Sequence, residues 1–360
     1  MKRNKTLFSA TALSRFLLVV LPAAILMSCG HKKPQAGVPS AMTDESKALT
    51  DYFTANGVMP VLKNSGFLMS AAELNKMADT NIIVIDLRNA ELFAAGHIGA
   101  SVNLSVGELL HYFESVIDPP SFKRIVLVDA RGQNAAYAAA LMRLTGYDNV
   151  YALRFGMSAW NKKLAETGWD LAVGDTLSNV LDLVSHPKNP LTGHQPQLST
   201  GGHNALSVAR LQTEHLFAKE TPAFLLDFRE ILKSSENYLL ISLGNEEAYQ
   251  AGHLPGAIHY SFEEFFNAPP TLPVDKPIVL YSLTGHSAAA AVAWLRMLGY
   301  DAYSVYYGAS SFMNQSLLKL KSVAPQLWSL GQTNDFSLTA GQAAKASGEI
   351  KITKAAKGGC

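Results

Sequence analysis

This chain of 360 residues contains two six-residue loops with side chains that could support chemistry. One loop begins with Asp129 and the other with Ser282, and each follows an apolar strand and leads into an alanine-rich helix. A serine hydroxyl at its ordinary pKa is a poor nucleophile unless a base activates it. His286 is the nearby candidate base, but no acidic residue is evident to orient it. We therefore prefer a solvent-facing loop histidine over a Ser282-His286 catalytic pair.

The other residues of both loops are expected to form cradles of backbone N–H groups at the helix starts. They are Ala130, Arg131, Gly132, Gln133 and Asn134 in the first loop, and Leu283, Thr284, Gly285, His286 and Ser287 in the second. Such a cradle attracts negative charge. Asp129 would place its own carboxylate at the centre and compete with an incoming anion; a plain helix N-cap, worth about 1 kcal/mol, is the alternative. Ser282 would leave the second cradle neutral and open.

Sulfur chemistry is limited to two cysteines, Cys29 and Cys360. If Cys29 is modified, no internal disulfide can form and Cys360 is a lone thiol. Nearby lysines favour the Cys360 thiolate, whereas the terminal carboxylate opposes it. Gly358 and Gly359 precede this cysteine. The ending resembles the swinging-arm segment of thiosulfate-oxidising carrier proteins.

The N-terminus has the pattern of an export signal. Basic residues precede an apolar run from Phe16 to Met27, which is too short to be a stable spanning helix. The run ends in Leu26-Met27-Ser28-Cys29, which resembles the lipobox of bacterial lipoproteins. We therefore expect a membrane anchor through lipidated Cys29, with a plain signal peptide as the alternative. The residue after Cys29 is Gly30 and not the aspartate that retains lipoproteins in the inner membrane of enteric bacteria. This favours the outer membrane, facing the periplasm, over the inner membrane.

Composition narrows the classes of partner. The apolar content of 48% is typical of globular cores. The formal net charge is +1, and the basic residues are scattered, so nucleic acid is not an expected partner. The sequence predicts no cofactor and no metal site.

The two loops belong to two copies of one unit. Segments starting at Ile82 and Tyr238 share a strand, a short acidic helix and a Gly-His turn. The later parts match at one constant offset, which pairs Gly132 with Gly285, Gly146 with Gly299, and Asp148 with Asp301. Apolar strands alternating with amphipathic helices predict the α/β class, with two domains that each contain a small parallel sheet covered by helices on both faces. Both loops then lie beyond the carboxyl ends of the strands, where open sheets bind ligands.

The order of these motifs resembles the rhodanese homology domain. In the first copy they are Asp86-Leu-Arg88, Glu91, Phe93, Gly96-His97-Ile98, the six-residue loop and "LTGYDNV". The resemblance covers about residues 68–169 and 224–330. It implies a sulfurtransferase with a persulfide-bearing cysteine at the first loop position, but Asp129 and Ser282 occupy the two positions here. Related phosphatases need that cysteine and a loop-end arginine, where this chain has Asn134 and Ser287.

Two further comparisons follow from the resemblance. The second copy has Ser242 and Gly244 where the first retains the family's Asp86 and Arg88. The histidines of the Gly-His turns, His97 and His253, would have a structural role in the family.

The predicted organisation has six parts. They are a lipoprotein signal peptide (1–29), a tether with a short helix (30–58), a first rhodanese-like domain (59–172), a linker with short helices (173–222), a second rhodanese-like domain (223–330) and a flexible tail ending in Gly-Gly-Cys (331–360).

Two functions are expected. The first is a silent rhodanese-like binding or scaffold protein for a protein partner or a small sulfur-containing anion. The second is a sulfur carrier or sulfurtransferase that uses Cys360.

Overall fold

A computed structural model describes residues 44–56, 62, 66–77, 81–177, 179–191, 193–218 and 224–342. Cys29 and Cys360 lie outside these residues, as do the predicted export signal and the Gly-Gly-Cys ending. Within the described ranges, no helix has both the length and the hydropathy that crossing a membrane requires.

The first domain is built on a sheet of five parallel strands in the order β1-β5-β4-β2-β3. The strands are β1 (Leu68–Met69), β2 (Ile82–Asp86), β3 (Val102–Asn103), β4 (Arg124–Val128) and β5 (Val150–Leu153). The helices up to the end of this domain are α1 (Glu45–Asn56), α2 (Ala71–Lys76), α3 (Ala90–Ala95), α4 (Leu109–Ser115), α5 (Gln133–Leu144), α6 (Met157–Trp160), α7 (Lys162–Glu166) and α8 (Trp169–Ala172).

The second domain repeats this topology, with the strand order β6-β10-β9-β7-β8 and parallel pairing throughout. Its strands are β6 (Leu225–Leu226), β7 (Leu239–Leu243), β8 (Ile258–Tyr260), β9 (Ile278–Tyr281) and β10 (Ala302–Val305). The helices that follow α8 are α9 (Ala205–Ala218), α10 (Phe228–Lys233), α11 (Glu246–Gln250), α12 (Phe262–Phe265), α13 (His286–Met297) and α14 (Asn314–Leu318). The predicted fold class, two α/β domains with parallel sheets, is confirmed.

Alternating strand residues face different cores. In β4, Ile125 and Leu127 contribute to a large cluster that includes buried residues of both domains. Val126 and Val128 contribute to a separate cluster on the opposite face of the first sheet. Both faces are therefore apolar, as parallel sheets covered on two sides require.

The alanine-rich helices α5 and α13 pack against each other where the two domains meet. Their alanines, from Ala138 to Ala140 and from Ala288 to Ala291, are fully buried. Small side chains let two helix backbones approach closely while each helix also covers its own sheet. A helix that is apolar on all sides is stable only when buried on all sides, which explains the composition of both helices.

Each domain is also covered by a segment from elsewhere in the chain. Residues 333–341, the C-terminal strap, lie on the first domain, where Thr339 N donates to His97 O at 2.9 Å. Residues 179–186, the linker strap, lie on the second domain, where Asp182 N donates to His253 O at 2.9 Å. Both straps pair in an antiparallel bridge with the Gly-His turn of the domain that they cover.

The C-terminal strap differs from the flexible tail that the sequence predicts from residue 331. Phe336 and Leu338 pack on the outer core of the first domain, and Trp160 Nε1 donates to Ser337 O at 3.0 Å. These apolar and polar contacts hold the described part of the tail, which reaches Gln342.

The loop that precedes α9 is held by a buried carboxylate from the start of α1. Glu45 is 3% exposed, and its carboxylate accepts from the backbone N–H groups of Thr200 at 2.6 Å and Gly201 at 2.7 Å. Although burial raises the pKa of Glu45, these hydrogen bonds lower it overall. The glycine-rich linker therefore has a defined conformation at this point.

Candidate functional site

The first loop closes around its own carboxylate. Asp129 follows β4, is buried, and accepts through Oδ1 from Gly132 N at 2.6 Å. Gly132 has φ 93°, a left-handed conformation that favours glycine and turns the chain into α5. Burial raises the pKa of Asp129, and hydrogen bonds from the amides of Gly132 and Arg131 oppose that shift. The carboxyl group thus occupies the cradle from within.

The second loop has the same backbone course with a hydroxyl in place of the carboxyl. Ser282 follows β9, and its Oγ accepts from Ala288 N at 3.2 Å in the first turn of α13. Gly285 has φ 78°, like its counterpart in the first loop. A hydroxyl is neutral and fills less of the cradle than a carboxylate does.

Both loops are supported from behind by the turn that follows the last strand of each sheet. Met157 N donates to Asp129 O at 2.9 Å, and Ala309 N donates to Ser282 O at 2.9 Å. A Cβ at Gly156 would collide with Asp129 O, and one at Gly308 would collide with Ser282 O. Glycine is therefore required at both turns, because the turn backbone lies directly against the loop backbone.

His286 is neither a base for Ser282 nor a solvent-facing residue. The ring is 1% exposed, and its Nε2 accepts from Phe155 N of the first domain at 3.1 Å. Nδ1 therefore carries the proton, and it donates to Thr284 Oγ1 at 2.9 Å. Burial, with the nearby charge of Arg154, lowers the pKa of His286 to about 3. The expectation of a solvent-facing histidine is wrong, because the domain interface encloses the ring.

Gln133 has the corresponding position in the first loop and also contacts the other domain. Its Oε1 accepts from Tyr307 N at 2.7 Å, and its Nε2 donates to Val305 O at 3.1 Å. The residues that donate these N–H groups, Phe155 to His286 and Tyr307 to Gln133, have left-handed φ values of 63° and 60°. The fifth loop residues thus join the domains and do not point into the cradles.

A cleft of about 650 Å³ opens at the second loop, between the two domains. Ser282, Thr284 and Ser287 line it from the second domain. Arg154 lines it from the first domain, and its guanidinium also donates to Gln326 O. Burial lowers the pKa of Arg154, but a guanidinium stays protonated at neutral pH. Glu73, on the same cleft, forms an ion pair with Arg124 at 2.5 Å.

A smaller cleft of about 370 Å³ lies near the first loop. Arg131 lines it together with Tyr306 and Tyr307, while Asp129 does not. The guanidinium of Arg131 lies over the Tyr307 ring, 5.4 Å from its centroid. Asp129 and Ser282 are similarly buried, at 5% and 7% exposed, so the loops differ in that the first residue of the second loop lines one of these clefts and that of the first loop does not.

The domains also differ beneath the loops. Arg88 forms a buried two-point ion pair with Asp86, with Nη2 to Oδ2 at 2.6 Å and Nε to Oδ1 at 2.9 Å. In the second domain Ser242, on β7, has the position of Asp86, and Gly244 has the position of Arg88 and lines the larger cleft. The second domain thus lacks the ion pair and has open space at the position of the arginine.

The histidines of the Gly-His turns have the same pose in both domains. His97 stacks on Phe93 with the ring centroids 3.8 Å apart, and its Nδ1 lies 2.9 Å from Phe93 O. His253 stacks on Tyr249 at 3.8 Å, and its Nδ1 lies 3.0 Å from Tyr249 O. Both rings are buried.

Comparison with known proteins agrees with this architecture. The Rhodanese-like domain family matches residues 70–163 and 224–315, which together make up more than half of the chain. The chain therefore belongs to the rhodanese-like domain family, as a protein with two such domains.

Several of the relatives have names that refer to sulfur transfer or tRNA modification. A thiosulfate sulfurtransferase GlpE of Shewanella oneidensis is 30% identical over 96 residues, which are 26% of this chain and 91% of that protein. A tRNA uridine(34) hydroxylase of Erwinia tasmaniensis is 26% identical over 184 residues, or 46% of this chain and 48% of that protein. A tRNA sulfurtransferase of Desulfurococcus amylolyticus is 39% identical over 74 residues, but the match spans only 14% of its length.

Among solved structures, a thiosulfate sulfurtransferase from Pseudomonas aeruginosa is similar, with 18% identity and a TM-score of 0.27. That match covers 74% of this chain and 47% of the other.

Proposed function

We propose that this protein is a rhodanese-family binding protein that holds a small anion at the Ser282 loop and lacks ordinary thiosulfate sulfurtransferase activity. The observation that carries the proposal is the difference between the two loops. The Asp129 carboxyl group fills the first cradle, whereas Ser282 faces a cleft of about 650 Å³. Neither loop contains a thiol, and His286 has no lone pair available to activate Ser282.

The chemistry of the cleft favours a small oxyanion or a sulfur-containing anion. A helix start presents N–H groups to the ligand, and hydroxyls of Thr284 and Ser287 line the same wall. Arg154 adds a charged donor from the first domain, and charge-assisted hydrogen bonds are the stronger ones. Glu263 also lines the cleft, and its carboxylate repels anions, so binding depends on Arg154 and the helix start outweighing it. Thiosulfate, the substrate named for the GlpE relative, is the probe of choice.

The test is calorimetric titration of the full chain with thiosulfate. We expect saturable binding at one site, loss of binding in Ser282→Asp, which copies the first loop, and binding weakened about tenfold in Arg154→Gln. Ser282→Ala removes the hydroxyl from the cradle and should still bind. The same affinity in Ser282→Asp, or no saturable binding by the unaltered protein, would refute the anion site.

Cys360 supports a second candidate function, a sulfur carrier. It is the one thiol of the sequence besides Cys29, and it follows two glycines at the C-terminus. Incubation with polysulfide followed by intact mass measurement should show one added sulfur that is absent in Cys360→Ser if the chain carries sulfur. An unmodified mass favours the binding role, and a reducible dimer indicates disulfide formation between chains.

We also propose that the protein is a lipoprotein of the bacterial envelope, anchored at the outer membrane through Cys29. The supporting observation is the run Leu26-Met27-Ser28-Cys29 after the apolar signal segment. Labelling with a fatty-acid analogue in cells should mark the unaltered protein but not Cys29→Ala. Labelling of both proteins, or of neither, would contradict the anchor.

A further inference from the structure

A cluster of three metal-ligating side chains lies where the linker strap crosses the Gly-His turn of the second domain. Asp182 and His186 come from the strap and His253 from the turn, and their ligand atoms all lie within 4.8 Å of one another. Asp182 Oδ2 and His186 Nε2 are 2.6 Å apart. The cluster is separate from the residues that line the two clefts.

His253 has a carbonyl oxygen close to each of its two ring nitrogens. Its buried ring has Nδ1 at 3.0 Å from Tyr249 O and Nε2 at 3.2 Å from Val184 O. Carbonyl oxygens only accept hydrogen bonds, and a neutral imidazole has a single N–H group. A neutral ring can therefore donate to only one of these two oxygens.

Tyr249 arranges the cluster in the way that supports metal ligation. Its carbonyl oxygen accepts from His253 Nδ1, which leaves the lone pair of a neutral ring on Nε2, the nitrogen that lies 3.2 Å from Val184 O, and its ring stacks on the imidazole at 3.8 Å. Its hydroxyl accepts from His186 N at 3.1 Å and so fixes the strap beside the turn. Metal-binding histidines usually donate their other N–H to a carbonyl or carboxylate in this manner.

The first domain shows that the turn itself does not require Asp182 or His186. His97 has the same stacked pose and the same Nδ1 contact with a carbonyl oxygen. The strap residue that bridges it is Thr339, which offers no carboxylate. On the second domain the linker strap supplies Asp182 at the place of Thr339 and His186 four residues later, and both contribute ligand atoms at one point.

We propose that Asp182, His186 and His253 bind a divalent first-row transition ion, with Zn²⁺ as the best match. Two imidazoles and one carboxylate form a ligand set that zinc accepts. Tetrahedral coordination at about 2.0 Å places ligand atoms about 3.3 Å apart, a spacing reached by small side-chain rotations from the present cluster. The side chains of His186 and Asp182 are 33% and 22% exposed, which gives an ion a path from solvent. The bound ion would fasten the linker strap to the second domain.

The test is equilibrium dialysis of the full chain against Zn²⁺ with metal analysis, in a Cys360→Ser background so that the terminal thiol does not contribute. We expect one bound ion per chain and an affinity at least about tenfold lower in His186→Ala and in Asp182→Asn. Both residues are partly exposed, so these variants are expected to fold. His203→Ala alters an exposed linker histidine and should bind as the background protein does.

Two further readouts separate metal ligation from a purely structural role. Co²⁺ in the same site should give visible absorption bands of a tetrahedral ion, and these should vanish in His186→Ala. Zn²⁺ should raise the unfolding temperature of the background protein but not of the two ligand variants. Absence of saturable binding, or equal binding by the variants, would overturn the proposal.

Discussion

Gln133 and His286 occupy the same position in the two loops, and each hydrogen-bonds a backbone N–H of the other domain. Gln133 Oε1 accepts from Tyr307 N at 2.7 Å, and His286 Nε2 accepts from Phe155 N at 3.1 Å. Both side chains are 1% exposed. The loops of the two domains therefore hold the interface together through one reciprocal pair of contacts.

Removing either side chain should destabilise the whole protein. His286→Ala leaves the buried N–H of Phe155 without an acceptor, which costs roughly 1–3 kcal/mol, and Gln133→Ala does the same to the partly buried N–H of Tyr307, at the lower end of that range. Urea unfolding followed by circular dichroism measures the loss. His286→Gln, which places the residue of the first loop in the second, is the matched control and should lose less than His286→Ala. Wild-type stability in both alanine variants would show that the contacts contribute nothing.

The stability of the protein should fall with decreasing pH through His286. Its folded pKa is about 3 because burial disfavours the charged ring, whereas an unfolded histidine has a pKa of about 6.5. Below that value the unfolded chain takes up a proton that the folded chain does not, so stability drops by up to about 1.4 kcal/mol per pH unit. The drop should continue to about pH 3.

The check is the free energy of unfolding measured between neutral and acidic pH. In His286→Gln this part of the pH dependence should disappear, while contributions of the carboxylates remain. A slope that is the same in both proteins would mean that the ring accepts its proton in the folded state.

A cysteine at the position of Ser282, which lines the larger cleft, should give this loop sulfur chemistry. In Ser282→Cys the thiolate would attack the sulfane sulfur of thiosulfate, the sulfur–sulfur bond would break, and sulfite would leave with the bonding electron pair. In a Cys360→Ser background, intact mass should show one added sulfur. Asp129→Cys is the control, and we expect a lower yield because the larger cleft does not reach Asp129. An unmodified Ser282→Cys protein would indicate that the cradle does not admit the anion.

The C-terminal strap should contribute to the stability of the first domain. Leu338 is partly buried against Gly96 and the outer core, so Leu338→Ala should cost roughly 1–2 kcal/mol, less than a core leucine. A chain that ends after Gln342 keeps the strap and should unfold like the full protein, whereas one that ends after Gln332 should unfold at a lower temperature. Equal unfolding temperatures for the two truncations would show that the strap is dispensable.

The sequence was sufficient for the fold because its signals are local. Apolar strands, glycine turns and alanine-rich helices recur at fixed spacing, and parallel topology follows from that alternation. The roles of Gln133 and His286 depend on how α5 and α13 pack, which no local pattern specifies. Their equal positions in the repeat were a visible signal of a shared role. Asp182, His186 and His253 come together only because a strap crosses a turn 71 residues away from Asp182 in sequence.

The crossed straps also bear on how the molecule is synthesised. The first domain is covered by residues 333–341, which leave the ribosome only after the second domain has been translated. Until then the apolar outer face of the first sheet lacks the cover that Phe336 and Leu338 supply. The order of translation thus makes the nascent first domain dependent on completion of nearly the whole polypeptide, and an excised first domain would lack a piece that its own segment does not encode.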